Sequence, residues 1–146
     1  MKSSYTKAYI AGPLFNVHEI DWLEQISAIC EAFGILTFLP HRDAPNMGNK
    51  PAIEIFTADE NGLYSCDFTI ATLDGYDVDS GTAVEIGMSY VRGMPVLGIT
   101  TDSRQVSHIN AMPLAICEMG LGVVHSLPEL IEKLSEIMYS IKVAEQ

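Results

Sequence analysis

What most constrains this chain is the regular alternation of short apolar runs with segments of helical periodicity. Five runs read as strands: Lys7 to Ala11, Ile35 to Leu39, Asp67 to Leu73, Met94 to Thr100 and Leu121 to His125. Between them lie helical stretches from His18 to Phe33, Ala52 to Cys66 and Gly81 to Arg92, a short one from Leu114 to Met119, and a closing one from Pro128 to Val143. The first stretch shows the pattern best: Ile20, Leu23, Ile26, Ile29, Cys30 and Phe33 recur at helical spacing on one face. Gly12, Pro13, Gly34, Pro40 and Gly93 punctuate the elements. Strands alternating with helices predict an α/β fold with a parallel sheet. The expected form is a doubly wound, flavodoxin- or Rossmann-like sheet of five strands in the order 2-1-3-4-5, occupying residues 1–146 as a single domain.

In such sheets ligands bind beyond the carboxyl ends of the strands. The loops expected there are GPLFN, His41 to Pro51, Asp74 to Gly81 and Thr101 to Pro113, which are also the longer polar loops of the chain.

Composition narrows the function classes. With 48% hydrophobic and 18% charged residues in 146, the chain can bury a core without metal or disulfide support. The net charge of −11 and only eight scattered Lys and Arg argue against a nucleic-acid partner, which needs clustered cations. An uncharged nucleoside is not excluded. Cys30, Cys66 and Cys117 show no metal-ligand spacing and read as free, buried thiols of a reducing cytoplasm. The N-terminal apolar run is broken too soon for a signal peptide, and no run of about 20 apolar residues predicts a membrane span.

The chemistry concentrates in DGYDVDSGTAVEIGMSYVRGMPV, residues 74–96. Asp79 and Ser80 are good caps for the helix that follows, and Glu85 falls in its early turns. Gly81, Ala83 and Gly87 around it would let a substrate approach the backbone. The same residues also fit a surface acid on a helix with small neighbours for packing. Asp59, in TADENGLYSCD, is a second carboxyl on the pocket side of its helix, or else an exposed acid beside Glu60. Paired carboxyls are what glycosidic cleavage requires, one to capture the sugar carbon and one to protonate the leaving group. Tyr9 is either core or a phenol bonded to the nucleophile, and Asn110 in HINAMP is either a turn former or a ligand. GPLFN has one glycine and is a poor dinucleotide fingerprint. His41, His108 and His125 lack metal-ligand spacing, no Ser-His-Asp triad is legible, and neither a cofactor nor a metal is implied.

Taken in order, YIAGPLF, Asp59 upstream of Asp67, DSGTAVEIG and HINAMP resemble the nucleoside 2-deoxyribosyltransferase family, whose relatives include deoxynucleoside 5′-monophosphate N-hydrolases. The resemblance runs from about Tyr9 to Pro113. It implies Glu85 as nucleophile, Tyr9 as its hydrogen-bond donor, Asp59 as acid for the leaving base, Asp79 on the 5′-hydroxyl, and Asn110 completing the pocket of a neighbouring subunit. Gly12, Phe15, Gly81 and Met112 join Asp79 and Asn110 as implied substrate contacts, and Phe15, Trp22 and Met47 are candidates to sandwich the base, with Trp22 alternatively a core residue. The hydrolase branch tends to carry Ser where Asp79 stands, Ser again near Asn110, and Arg in the first loop. Asp79, Asn110 and GPLFN depart from all three, which favours free nucleosides, while Ser80 and Arg104 keep a phosphate reading open.

The implied activity is exchange of the base of 2′-deoxynucleosides through a covalent deoxyribosyl–glutamyl intermediate, with retention, between a deoxynucleoside donor and a free nucleobase acceptor. The implied assembly is a cytoplasmic homo-oligomer, dimer or hexamer, with shared active sites and no membrane or nucleic-acid partner. Hydrolysis of the deoxynucleoside or its 5′-monophosphate is the alternative, and a non-catalytic nucleotide-sensing domain the second.

Overall fold

The computed structural model describes residues 5–44, 47–103 and 108–144. In chain order the elements are β1 (Lys7–Ala11), α1 (Val17–Ala32), β2 (Leu36–Phe38), α2 (Pro40–Asp43), a 3-10 turn at Met47–Asn49, α3 (Ala52–Tyr64), β3 (Phe68–Thr72), α4 (Ser80–Val91), β4 (Val96–Ile99), α5 (Ala111–Met119), β5 (Gly122–Val124) and α6 (Leu127–Ala144). The strands form one all-parallel sheet in the order β2-β1-β3-β4-β5, as the alternation predicted.

Because side chains alternate along a strand, β1 feeds two separate cores. Ala8 and Ile10 point to one face, packing with Leu23, Ile26 and Cys30 of α1 and Leu130 and Leu134 of α6. Tyr9 and Ala11 point to the other, packing with Leu63 of α3, Ile86 of α4 and Cys117 of α5. The three cysteines are unpaired and buried. Among the described residues no helix is long and apolar enough to cross a membrane.

Local chemistry moves several predicted boundaries. Asn16 caps α1 by accepting from the backbone N–H of His18 and Glu19, so the helix begins at Val17. The expected loop from His41 to Pro51 opens with the helical turn α2, where Pro40 supplies the fixed φ of a first helical position. The expected loop from Thr101 to Pro113 is also shorter. Asn110 caps α5, which starts at Ala111 rather than Leu114. Pro113 is tolerated because first-turn residues have no intrahelical acceptor for their N–H.

Gly62 looks like a flaw in α3, since glycine costs about 1 kcal/mol in a helix relative to alanine. The packing explains it: a Cβ on Gly62 would overlap the Phe38 ring. Overpacking of that kind costs about 1–3 kcal/mol, so glycine is the better residue there. Phe38 in turn stacks on Tyr9, with centroids 5.5 Å apart. The close approach of α3 thus fixes the tyrosine that reaches the site described next.

Candidate active site

Helices α3 and α4 lie against the same sheet face and present matching stripes to each other. From α3 come Phe56, Asp59, Glu60 and Leu63; from α4 come Gly81, Val84, Glu85 and Met88. Both sets follow the i, i+3, i+4, i+7 spacing of a single helical face. They line a cavity of about 180 Å³ with mostly apolar walls and three carboxyl-bearing residues, Asp59, Glu60 and Glu85. Among the described residues no Lys or Arg lines it.

Glu85 is the best-defined group. The Tyr9 hydroxyl donates to Glu85 Oε1 at 2.6 Å. Tyr9 itself is fully buried in β1, so its phenol can reach only inward, toward α4. Burial pushes the Glu85 carboxyl up to about 8; the Tyr9 hydrogen bond pulls it back, and the charges of Asp59 and Asp79 push it further up. Burial, reinforced by the Glu85 charge, also holds the Tyr9 phenol far above its usual range, so it remains a donor at any working pH. Asp59, half-buried across the groove, is raised by burial as well. It has no hydrogen-bond partner among the described residues. Both carboxyls therefore resist ionisation, as groups in a cleft with a chemical task often do.

Asp79 sits at the N-terminus of α4, outside the cavity lining. Its Oδ2 accepts from the Thr82 backbone N–H at 3.1 Å and from Thr82 Oγ1 at 3.3 Å. Gly81 leaves room for that cap, since a Cβ there would stand 3.2 Å from the same oxygen and make it give by a few tenths of an ångström. Ala83 and Gly87, also singled out in the sequence, do not line the cavity.

The remaining candidates are not brought to Glu85 by this chain alone. Asn110 is exposed; its Oδ1 accepts from the Met112 N–H, and its own N–H donates to Asp77 Oδ1. Met112 and Phe15 are 74% and 78% exposed. Gly12 is a close-packing position, where a Cβ would meet Leu23 Cδ2 at 2.7 Å. Trp22, a candidate for the base sandwich, is half-buried elsewhere: its indole N–H donates to Thr72 Oγ1 and it lines a separate cavity of about 300 Å³ with His18 and Asp74. The side chain of Met47, and Arg104, lie outside the described residues. His41 pairs with Glu24 at 2.7 Å. No group of three or more potential metal ligands gathers among the described residues.

Phe56 and Glu60 are among the lining residues not singled out from sequence as ligands. Their signal was present in the i, i+3, i+4, i+7 spacing of Phe56, Asp59, Glu60 and Leu63, but it becomes meaningful only once α4 faces it.

The family model described as nucleoside 2-deoxyribosyltransferase matches residues 8–132, which include every residue of this cavity. The chain belongs to that family. It is 31% identical over 106 residues to an uncharacterised protein of Schizosaccharomyces pombe, across 66% of this chain but only 50% of that protein, so the match spans about half the length of that relative. Among solved structures it is similar to a conserved protein from Enterococcus faecalis V583 at 28% identity, with 91% and 99% of the two chains covered and a TM-score of 0.78. It also shares its fold with the 2-deoxyribosyltransferase of Bacillus psychrosaccharolyticus at 24% identity, 86% and 90% coverage and a TM-score of 0.72. The CMP N-glycosidase BcmB of Clostridium botulinum has the same fold at 16% identity, 90% and 98% coverage and a TM-score of 0.62.

Proposed function

We propose that this protein exchanges the bases of free 2′-deoxynucleosides by a double displacement at C1′. The observation that carries the reading is the 2.6 Å hydrogen bond from buried Tyr9 to Glu85, facing Asp59 across an apolar groove. In the first step a Glu85 oxygen bonds to C1′ as the C1′–N bond breaks. The bonding pair leaves with the base, which takes the Asp59 proton. In the second, a nitrogen of the incoming base bonds to C1′ and Glu85 leaves as carboxylate; the proton lost by that nitrogen returns to Asp59. Two inversions give net retention. Tyr9 holds Glu85 in its attacking orientation and favours its charged form. A 2′-deoxy sugar suits this site, since the missing hydroxyl makes the oxocarbenium-like state easier to reach.

Free nucleosides are favoured over 5′-monophosphates because the groove holds carboxyls and no cation among its described lining, and a dianion there would be repelled. Asp79 at the mouth of α4 suits a neutral 5′-hydroxyl. Hydrolysis is the second reading: the fold also carries an N-glycosidase, and the groove admits water.

We read the protein as a homo-oligomer, dimer or hexamer. Asn110 and Met112 are exposed and absent from their own chain's cavity, and α4 and α5 carry exposed Val84, Val91 and Met119. A monomer by light scattering at catalytic concentrations would overturn this. The three unpaired thiols fit a reducing cytoplasm.

The test incubates the purified protein with deoxyadenosine, with and without free cytosine, and separates the products. Deoxycytidine formed only when cytosine is present establishes transfer. Adenine released equally in both tubes, with no deoxycytidine, makes it a hydrolase. No turnover of deoxyadenosine, deoxycytidine, deoxyinosine, thymidine or their 5′-monophosphates removes the enzyme reading.

A further inference from the structure

Glu60 is the one carboxyl of the groove that the mechanism leaves unused. It is half-buried and lines the same cavity as Asp59 and Glu85. No hydrogen-bond or ionic partner reaches it among the described residues. Other glutamates of this chain do find partners: Glu54 with Lys50, Glu31 with Arg42, Glu24 with His41, and Glu129 with the His125 backbone N–H. A half-buried acceptor without a partner carries a desolvation cost that a bound donor would relieve.

Asp59 and Glu60 are successive on α3 and both line the groove, projecting about 100° apart around the helix axis. If Asp59 holds the proton destined for the leaving base, this wall presents a donor from Asp59 and acceptor oxygens from Glu60. The complementary edge on a planar base is a ring nitrogen next to an amino group. A 6-aminopurine offers N7 beside its N6 amino group, and a 4-aminopyrimidine offers N3 beside its N4 amino group. A 6-oxopurine or 4-oxopyrimidine places a carbonyl oxygen at the same point, lone pairs against lone pairs. Phe56, one turn before Glu60, supplies an apolar ring against which either amino base can lie.

We propose that Glu60 is a specificity-determining residue that selects bases bearing an exocyclic amino group adjacent to a ring-nitrogen acceptor. The inference rests on the proposed function, which places the base in this groove with Asp59 as its acid. It assigns Glu60 no part in bond breaking.

Binding of free bases tests it independently of turnover. Calorimetry is run with adenine, hypoxanthine, cytosine and uracil on the wild-type protein and on Glu60→Gln, whose amide can donate as well as accept. Glutamine keeps the helix propensity and size of glutamate, and circular dichroism checks the fold. The expected result is that the wild type binds adenine over hypoxanthine, and cytosine over uracil, by about tenfold or more. In Glu60→Gln each ratio should collapse to within about threefold, mainly through weaker binding of the amino bases and stronger binding of the oxo bases. The proposal is overturned if the wild type binds both classes equally or binds neither, or if its preference survives intact in Glu60→Gln. Turnover of the deoxynucleosides and 5′-monophosphates named above, on the same preparation, reports separately on the enzyme reading: base selectivity in binding without turnover of any of them would uphold Glu60 and remove the transferase.

Discussion

Asp74 and Glu85 are both partly buried carboxyls on the C-terminal side of the sheet, yet their surroundings are opposite. Asp74, just after β3, accepts four hydrogen bonds: from Thr100 Oγ1 at 3.0 Å, Thr101 N–H at 2.6 Å, Thr101 Oγ1 at 2.6 Å and Asp102 N–H at 3.1 Å. It ties the end of β3 to the end of β4 through these four hydrogen bonds. Glu85 accepts one, from Tyr9, and faces Asp59 and an apolar groove. A satisfied carboxylate is a structural staple. A buried carboxyl denied its donors is held at a cost in stability, and sites that do chemistry are where such costs concentrate.

Four substitutions break or sharpen that comparison. Replacing Glu85 should have the largest effect: Glu85→Gln is expected to lower base exchange by roughly 10⁴-fold or more, as loss of a covalent nucleophile does in other enzymes. The same change should stabilise the fold. Glu85 titrates near 4.5 in an unfolded chain and at about 8 when folded, so between those values the native protein binds more protons than the unfolded one. Wild-type stability therefore falls as pH rises through that window and stays reduced above it. Thermal melts of the two proteins should coincide near pH 4.5 and diverge toward pH 9, the variant being more stable by on the order of a few kcal/mol. A wild type that melts higher at pH 9 would place Glu85 with the staples.

Asp59→Asn comes next, with a loss of roughly 10²–10³-fold on ordinary deoxynucleosides, since the leaving base goes unprotonated. The loss should shrink on an N7-methylated deoxyguanosine, whose base departs without a proton. Equal losses on both donors would mean that Asp59 is not the acid.

Asp74→Ala probes the other member of the comparison. With two backbone N–H groups and two threonine hydroxyls left without their acceptor, urea unfolding should show a loss of about 2–4 kcal/mol. Catalysis per folded molecule should change far less than in Glu85→Gln.

The smallest effect is expected for Tyr9→Phe, a loss of about tenfold in kcat/KM at neutral pH. Its diagnostic is the pH profile. Removing the donor destabilises the Glu85 carboxylate, so the rising limb should move to higher pH. An unmoved limb would mean that the profile does not report Glu85.

Much of this was legible in the chain itself. Element type and strand order follow from local rules: periodicity marks the helices, and short apolar runs bounded by glycine and proline mark the strands. Boundaries slipped where a single side chain decided them, as when Asn110 capped α5 three residues earlier than expected and carried Pro113 inside. Residue chemistry alone left Glu85 and Asp59 as either surface acids or a working pair; the ordered motifs around them, through the family resemblance, singled them out. No such motif marks Phe56 and Glu60, whose place in the groove comes from what α4 puts opposite them.

The sequence by itself determined the α/β architecture and the strand order, since these depend on residue order and short-range spacing. Only the tertiary structure decided that Tyr9 reaches Glu85, that Gly62 exists to admit Phe38 beneath it, that Trp22 belongs to another cavity, and that Glu60 stands without a partner beside Asp59. Those facts depend on contacts between residues far apart in the chain, and their energies come from burial and mutual orientation, neither of which is encoded at any one position.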